Sequence, residues 1–452
     1  MTRIFVVPAT DFDLPEALRQ ATALNCEDTD EDAEGAEHDS GCCESESPEA
    51  PAESGHAGPA RNEALPDAAQ SAKNRRRAAT RLRKKALQGR QVRAQAALKH
   101  MPDHPLLTTK VEYVQLPAAS CGYQAVNERK GCSGRRYTVE ELRREGFTEI
   151  KWDGVASQVV VEGKTGKIMV VMAGQPDDPT YKACQLRATN KILAVGEAAE
   201  FTAEELDHKR ASNSAALNHG VFHGVGTSGP VNLSNGRRTQ LLKDLVKDPD
   251  VCRMASFADE VYEEVKAKLG QLYDHDPSLS PPFECCVLPC AAFNFGPQVC
   301  CKGHRDPSNL PHSWCAITAL GQFNSEQGGH LVIEELRIFI QFPPGATILI
   351  PSALLTHGNT PVGQGEVRLS FTVFCPGGLL RWVDNGFQTQ DGLRKRVSKR
   401  EFKERMGLKE VRWQEGMAKI CTLQQLVEKY TPKKEDAGNV NLGAPGFTGE
   451  AP

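Results

Sequence analysis

Between residues 283 and 374 the chain repeats one pattern, short runs of β-branched, aromatic and other apolar residues set between turn formers. The runs are Phe283 to Leu288, Ala291 to Phe295, Trp314 to Leu320, His330 to Ile333, Ile338 to Phe342, Thr347 to Ile350 and Val367 to Phe374. Pro289, Gly296-Pro297, Gly328-Gly329, Pro343-Pro344-Gly345 and Pro361 punctuate them. Runs of this length with such boundaries predict strands joined by turns. Seven in about ninety residues predict a β sandwich or jelly roll, with a core at about 283–376.

Outside that core the apolar period lengthens. Leu241, Leu242, Leu245, Val246, Val261, Val265 and Leu269 recur at helical spacings between Arg237 and Leu272, which predicts helices packed on the outside of the sheet. Tyr137 to Arg144 carries a helix start, and Val159 to Val171 reads as a hairpin with Gly163-Lys164-Thr165-Gly166 at its turn. The charged run Arg394 to Gly407 and the run Leu423 to Tyr430 predict helices in a C-terminal extension, 391–432. The expected fold class is α+β, a mainly β core with flanking helices.

Composition sets the ends of the 452-residue chain apart from this core. Between Cys26 and Glu49 there are eleven Asp or Glu and almost no bulky apolar residue. Such a segment cannot bury enough surface to offset chain entropy, so 1–72 is expected to be an acidic disordered tail. Residues 73 to 99 reverse the sign, with eleven Lys or Arg and no acid. Alanine and leucine give 73–100 helix propensity, and a basic arm of this kind suits phosphates or nuclear import, or serves as a solvated linker. The net charge of −4 hides this dipolar layout. Residues 433–452 are expected to fray.

No apolar stretch approaches the length of a membrane span, and the first residues lack a cleavage-site pattern, so a soluble, unsecreted protein is expected. Several of the fifteen cysteines lie in or beside apolar runs, where free cysteine packs as a small hydrophobe. There is no Cys-x-x-Cys pair, so a structural zinc site has little support.

Candidate chemistry enters with His304-Arg305-Asp306, followed by His357 and Arg368. Two imidazoles and a carboxylate match the facial triad of a non-haem Fe(II) oxygenase, which leaves coordination positions for a co-substrate and O2. A planar guanidinium beyond the distal histidine fits the far carboxylate of 2-oxoglutarate. The triplet alone is common; its position among the predicted strands gives it weight.

These residues and their neighbours carry a family resemblance. His304-Arg-Asp-Pro-Ser-Asn309, Trp314 to Leu320, Gly328-Gly-His-Leu-Val332, Pro351 to Asn359 and Arg368-Leu-Ser-Phe371 resemble the TET/JBP family of 2-oxoglutarate and Fe(II)-dependent nucleic-acid dioxygenases, in its transposon-associated basidiomycete branch. His219 to Gly226 and Pro230 to Leu233 look like the glycine-rich segment before the core in that branch. The resemblance covers roughly 145 to 390, within an expected dioxygenase domain of 137–390.

The resemblance implies a double-stranded β-helix, with Fe(II) on His304, Asp306 and His357. It gives the distal carboxylate of 2-oxoglutarate to Arg368 and Ser370, and a co-substrate contact near the metal to His330. It gives base contacts to Asn309 and the pocket lining to Phe374. Animal members carry an aromatic hydroxyl six residues past the arginine and a base-contacting histidine eight residues past it; here those positions are Phe374 and Pro376. The implied activity is oxidation of methyl groups on DNA bases in the nucleus, 5-methylcytosine first, on a flipped or single-stranded base. The same chemistry on N6-methyladenine, thymine, RNA or a protein side chain also fits these residues, as does a non-enzymatic DNA- or chromatin-binding protein on a degenerate core. Oligomeric state is not legible.

Overall fold

The computed structural model describes residues 106–425, apart from 119–120, 128–133, 177, 209, 225, 258–262 and 285. The acidic tail, the basic arm, the last part of Leu423 to Tyr430 and the terminal tail lie outside the described residues.

The strands are β1 (Leu107–Thr109), β2 (Thr148–Ile150), β3 (Gln158–Glu162), β4 (Ile168–Gly174), β5 (Asp207–His208), β6 (Ala211–Ser212), β7 (Ala215–Phe222), β8 (Val231–Asn232), β9 (Cys290–Phe295), β10 (Cys315–Gln322), β11 (Leu331–Ile333), β12 (Ile338–Ile340), β13 (Thr347–Ile350), β14 (His357–Asn359) and β15 (Val367–Phe374). Nine form a large sheet in the order β1-β3-β4-β13-β10-β15-β9-β7-β8, and four form a small sheet in the order β14-β11-β12-β2. Neither sheet closes on itself.

The period of two in these strands sorts side chains between two cores. On β10, Ala316 and Leu320 join the core shared with helices, whereas Cys315, Ile317 and Ala319 join the core shared with the small sheet. On β15, Leu369, Phe371 and Val373 face the helices. Arg368, Ser370 and Phe374 therefore fall on the opposite face, and Phe374 packs at the edge of the inter-sheet core.

The helices are α1 (Val139–Arg144), α2 (Pro179–Ala198), α3 (Ala203–Leu206), α4 (Thr239–Leu245), α5 (Pro249–Phe257), α6 (Glu263–His275), α7 (Gly377–Asp384), α8 (Gln390–Arg396), α9 (Lys399–Gly407) and α10 (Lys409–Lys419). α1 starts at Thr138 with a capping box to Glu141, as its sequence predicts. α4 to α6 fill the predicted Arg237 to Leu272 region and bury Leu242, Leu245, Val265 and Leu269 against the large sheet.

Four expectations change. Apart from residue 285, which lies outside the described residues, Phe283 to Leu288 is not a strand; prolines bound the run on both sides, and Phe283 and Leu288 plug the helix-side core. The longest helix, α2, has no counterpart in the sequence reading, since its buried stripe includes Cys184 and Ala188, which give little hydrophobic contrast. Its start was legible, with Asp178 capping Thr180 N at 2.8 Å and Pro179 following. The run Arg394 to Gly407 is two helices, because Val397 is extended and Ser398 caps the second. His357, which falls between two predicted strand runs, opens β14.

The helix-side core stabilises the sheet that carries Arg368. Phe371 is fully buried and stacks on Phe293 with centroids 6.0 Å apart. Phe371→Ala is expected to cost about 3–5 kcal/mol in urea unfolding, the usual range for deleting a buried aromatic.

Candidate metal centre

Segment 304–313 leaves β9 and crosses to the small sheet, where His304 and His357 pair through both backbone hydrogen bonds. His304 N donates to His357 O at 3.0 Å, and His357 N donates to His304 O at 2.9 Å. The imidazole centroids are then 4.5 Å apart. Asp306 N donates to Ser352 O at 3.0 Å, which brings its carboxylate to the same place. Its Oδ1 lies 4.0 Å from His304 Nε2 and its Oδ2 lies 3.8 Å from His357 Nε2. The three donor atoms lie within 4.8 Å of one another.

Both rings are oriented for ligation. His304 Nδ1 bonds Lys302 O at 2.8 Å and His357 Nδ1 bonds Leu355 O at 2.9 Å. A proton held on Nδ1 by a carbonyl leaves the Nε2 lone pair free, the tautomer a metal requires. Burial, with His357 and Arg210 adding to it, pushes the His304 pKa well below the imidazole range. Burial alone would raise the Asp306 pKa, but Arg210 and the two imidazoles hold it below the carboxylate value. A neutral His304 and an ionised Asp306 are donors in the deprotonated form that metal binding needs. Two nitrogens and an oxygen, without thiolate, suit Fe(II).

The sequence reading missed two groups that hold Asp306. Arg210 Nη1 lies 3.0 Å from Asp306 Oδ1. It comes from the turn between β5 and β6, and nothing in His208-Lys209-Arg210 signals that role. The Ser352 hydroxyl donates to the Asp306 carboxylate and accepts from Asn309 Nδ2 at 3.0 Å. Asn309 is buried at the end of this chain, so one of its amide hydrogens is engaged inside the protein.

Arg368 is the second centre of the site. Only 2 % exposed, it pairs with no carboxylate among the described residues, and its Nε has no hydrogen-bond partner. Nη1 donates to Val299 O at 3.3 Å, and the guanidinium sits 6.0 Å from the Phe323 ring centroid. Burial lowers its pKa, with the nearby Cys301 and Cys300 thiols acting the other way and no carboxylate opposing it. Gly329, at φ +73°, makes room for it: an added Cβ would lie 3.2 Å from Arg368 Cδ and 2.6 Å from the Phe323 ring.

Ser370, on the same face of β15, accepts from Asn294 Nδ2 at 3.1 Å. His330 is fully buried, and its Nε2 has no hydrogen-bond partner; Glu149 Oε1 is 4.0 Å away. Its backbone N–H donates to Thr360 Oγ1 at 3.0 Å. Asn359, between His357 and Thr360, donates to Val299 O at 3.0 Å, the carbonyl that Arg368 also uses. Arg368 and His330 are thus tied to the strand that carries His357. Phe374 is half-buried, and Pro376 is buried in a bridge with Asn309.

No family model matches the chain, and no curated protein does. Among solved structures, a chain described as NgTET1 in complex with 5mC DNA is similar at 14 % identity and a TM-score of 0.36. The match covers 59 % of this chain and 90 % of that one. No helix among the described residues is long and apolar enough to cross a membrane, and their cysteines are free.

Burial makes the apoprotein acid-sensitive. The His330 pKa is pushed down to about 4 from 6.5, first by burial. Unfolding lets such a histidine take up a proton below 6.5, so its contribution is complete above that pH and is lost as pH falls towards 4. The thermal midpoint in chelator is expected to fall from pH 7 to pH 4.5, and His330→Gln is expected to flatten that fall by about one proton. Equal slopes in the two proteins would show that His330 is not held neutral.

Proposed function

We propose that this protein is a 2-oxoglutarate and Fe(II)-dependent dioxygenase that oxidises methyl groups on DNA bases, 5-methylcytosine first. In this reading the two facing sheets are the halves of a double-stranded β-helix. The observation that carries the oxygenase reading is Arg368, a buried guanidinium with no carboxylate, tied through Val299 O and Asn359 to the strand of His357. Burying an unpaired cation is costly, so the position calls for an anion that is not part of the chain. A dicarboxylate supplies it.

His304, Asp306 and His357 would hold Fe(II), which couples oxidation of a C–H bond by O2 to conversion of 2-oxoglutarate into succinate and CO2. The protein's part is placement. Lys302 O and Leu355 O keep the imidazoles in the ligating tautomer, while Ser352 and Arg210 keep Asp306 ionised. Arg368 and Ser370 would receive the far carboxylate of 2-oxoglutarate, and the free Nε2 of neutral His330 would meet the co-substrate.

Asn309 has a second amide hydrogen and a carbonyl for a flipped base, and Phe374 would line the pocket. A nuclear location goes with that substrate. Phe374 and Pro376 lack side-chain donors where animal relatives of the resembled family have them, which favours as the second reading the same chemistry on another methyl group, such as N6-methyladenine or thymine.

The direct test is mass spectrometry of nucleosides from methylated DNA incubated with protein, Fe(II) and 2-oxoglutarate. Hydroxymethylcytosine is expected from wild type and from none of His304→Ala, Asp306→Ala or His357→Ala. Asn309→Ala is expected to lose base oxidation yet keep DNA-independent succinate release. Oxidation of a different base would move the assignment to the second reading; full activity in a ligand variant would remove the iron assignment.

Arg368→Ala separates co-substrate from metal. It is expected to raise the 2-oxoglutarate requirement ten- to a hundredfold, matching roughly 2–3 kcal/mol for a charge-assisted buried pair, with Fe(II) affinity nearly unchanged. An unchanged requirement would assign the carboxylate to another cation.

A further inference from the structure

The C-terminal extension carries more positive charge than its own carboxylates balance. From Arg394 to Lys403 there are six cations, Arg394, Lys395, Arg396, Lys399, Arg400 and Lys403, against one carboxylate, and all six are exposed. That carboxylate, Glu401, is already taken by Arg405 at 2.9 Å, and Arg400 faces Glu404 at 3.6 Å. Lys395, Arg396, Lys399 and Lys403 have no acidic partner among the described residues.

A solvated helix face ordinarily alternates sign at i, i+4 and puts acids in its first turn. Arg394, Lys395 and Arg396 complement the C-terminus of α8 and Glu401 lies in the first turn of α9, but Lys399 and Lys403 are like charges at i, i+4, and Lys399 and Arg400 sit at the positive end of α9. Both arrangements oppose helix formation and favour an external anion.

α7 and α10, which flank α8 and α9, both contact segment 306–313. At one end Pro376, just before α7, bridges to Asn309, and Gly377 N donates to Ser308 O at 2.9 Å. At the other end α10 packs so closely on His312 that a Cβ on Gly416 would meet Nδ1 at 2.5 Å. Arg412 lies over the Tyr123 ring at 5.1 Å and donates to Arg405 O at 2.9 Å, which ties α9 to α10. The helices on either side of α8 and α9 therefore both touch the segment that carries Asp306 and Asn309.

We propose that the exposed face of α8 and α9 docks the phosphate backbone of duplex DNA beside the metal centre. The proposal rests on the nucleic-acid reading above. A duplex presents closely and evenly spaced negative charge, which suits a row of unpaired cations. The only large apolar residues in the stretch, Val397 and Phe402, are half-buried, so the face has no group to insert into a bilayer.

The test compares the full chain with a variant carrying Lys395→Ala, Arg396→Ala, Lys399→Ala and Lys403→Ala. Binding to an unmodified, labelled duplex of about 20 base pairs is followed by anisotropy between 50 and 200 mM salt, without Fe(II) or 2-oxoglutarate. The variant is expected to bind at least tenfold more weakly at low salt, with a slope of log K against log salt shallower by about three. Succinate release without DNA stays at the wild-type level, and a variant with Lys395, Lys399 and Lys403 changed to Arg keeps wild-type binding. Equal affinity and slope in wild type and the alanine variant would overturn the docking surface. So would a loss confined to duplex RNA. Neither result touches the base-oxidation assay, in which failure of the wild type would overturn the reading underneath.

Discussion

The paired backbone of His304 and His357 is the constraint on which the site depends. Two hydrogen bonds fix the segment after β9 against the first residue of β14, and side chains remote in sequence converge as a result. The side-chain carbonyl bonds then only choose tautomers. Everything nearby reinforces that pairing. Ser352 holds Asp306 by its backbone carbonyl and its hydroxyl, and Glu335 accepts from both the N–H and the hydroxyl of Thr356, the residue before His357.

Arg368 depends on the same frame from the other side. Its strand is paired along its length to β10 and β9, and its far face is sealed by Leu369, Phe371 and Val373 against the helices. That frame keeps a guanidinium buried without a carboxylate partner among the described residues, since relaxation towards solvent would break the ladder. A buried, unpaired cation is stable only on a scaffold with many other interactions, and here the large sheet and its helix layer provide them.

The C-terminal extension shows the reverse economy. α8 and α9 bury little, with Leu393 the only fully buried side chain on the two helices, and they present cations with few internal partners. They lie in the chain between two contacts with segment 306–313, Pro376 on Asn309 before α7 and Gly416 on His312 in α10.

Much of this was written locally in the chain. Strand runs bounded by proline and glycine, the capping box at Thr138, and the i, i+2 placement of Arg368 and Ser370 follow from periodicity and turn chemistry, which act over a few residues. The candidate donor set was legible because His304, Asp306 and His357 stand in a recognisable order, and the fold brings the three together. What required the folded chain was every relation between distant segments. Arg210 reaches Asp306 only because the turn between β5 and β6 returns there, and α2 escaped notice because its stripe is built partly of small side chains. Asn309, read as a free base contact, spends one hydrogen on Ser352, and Phe283 fills the core from an irregular segment bounded by prolines. Sequence patterns carry short-range geometry and residue chemistry, whereas burial, unpaired charge and convergence arise when remote segments pack together.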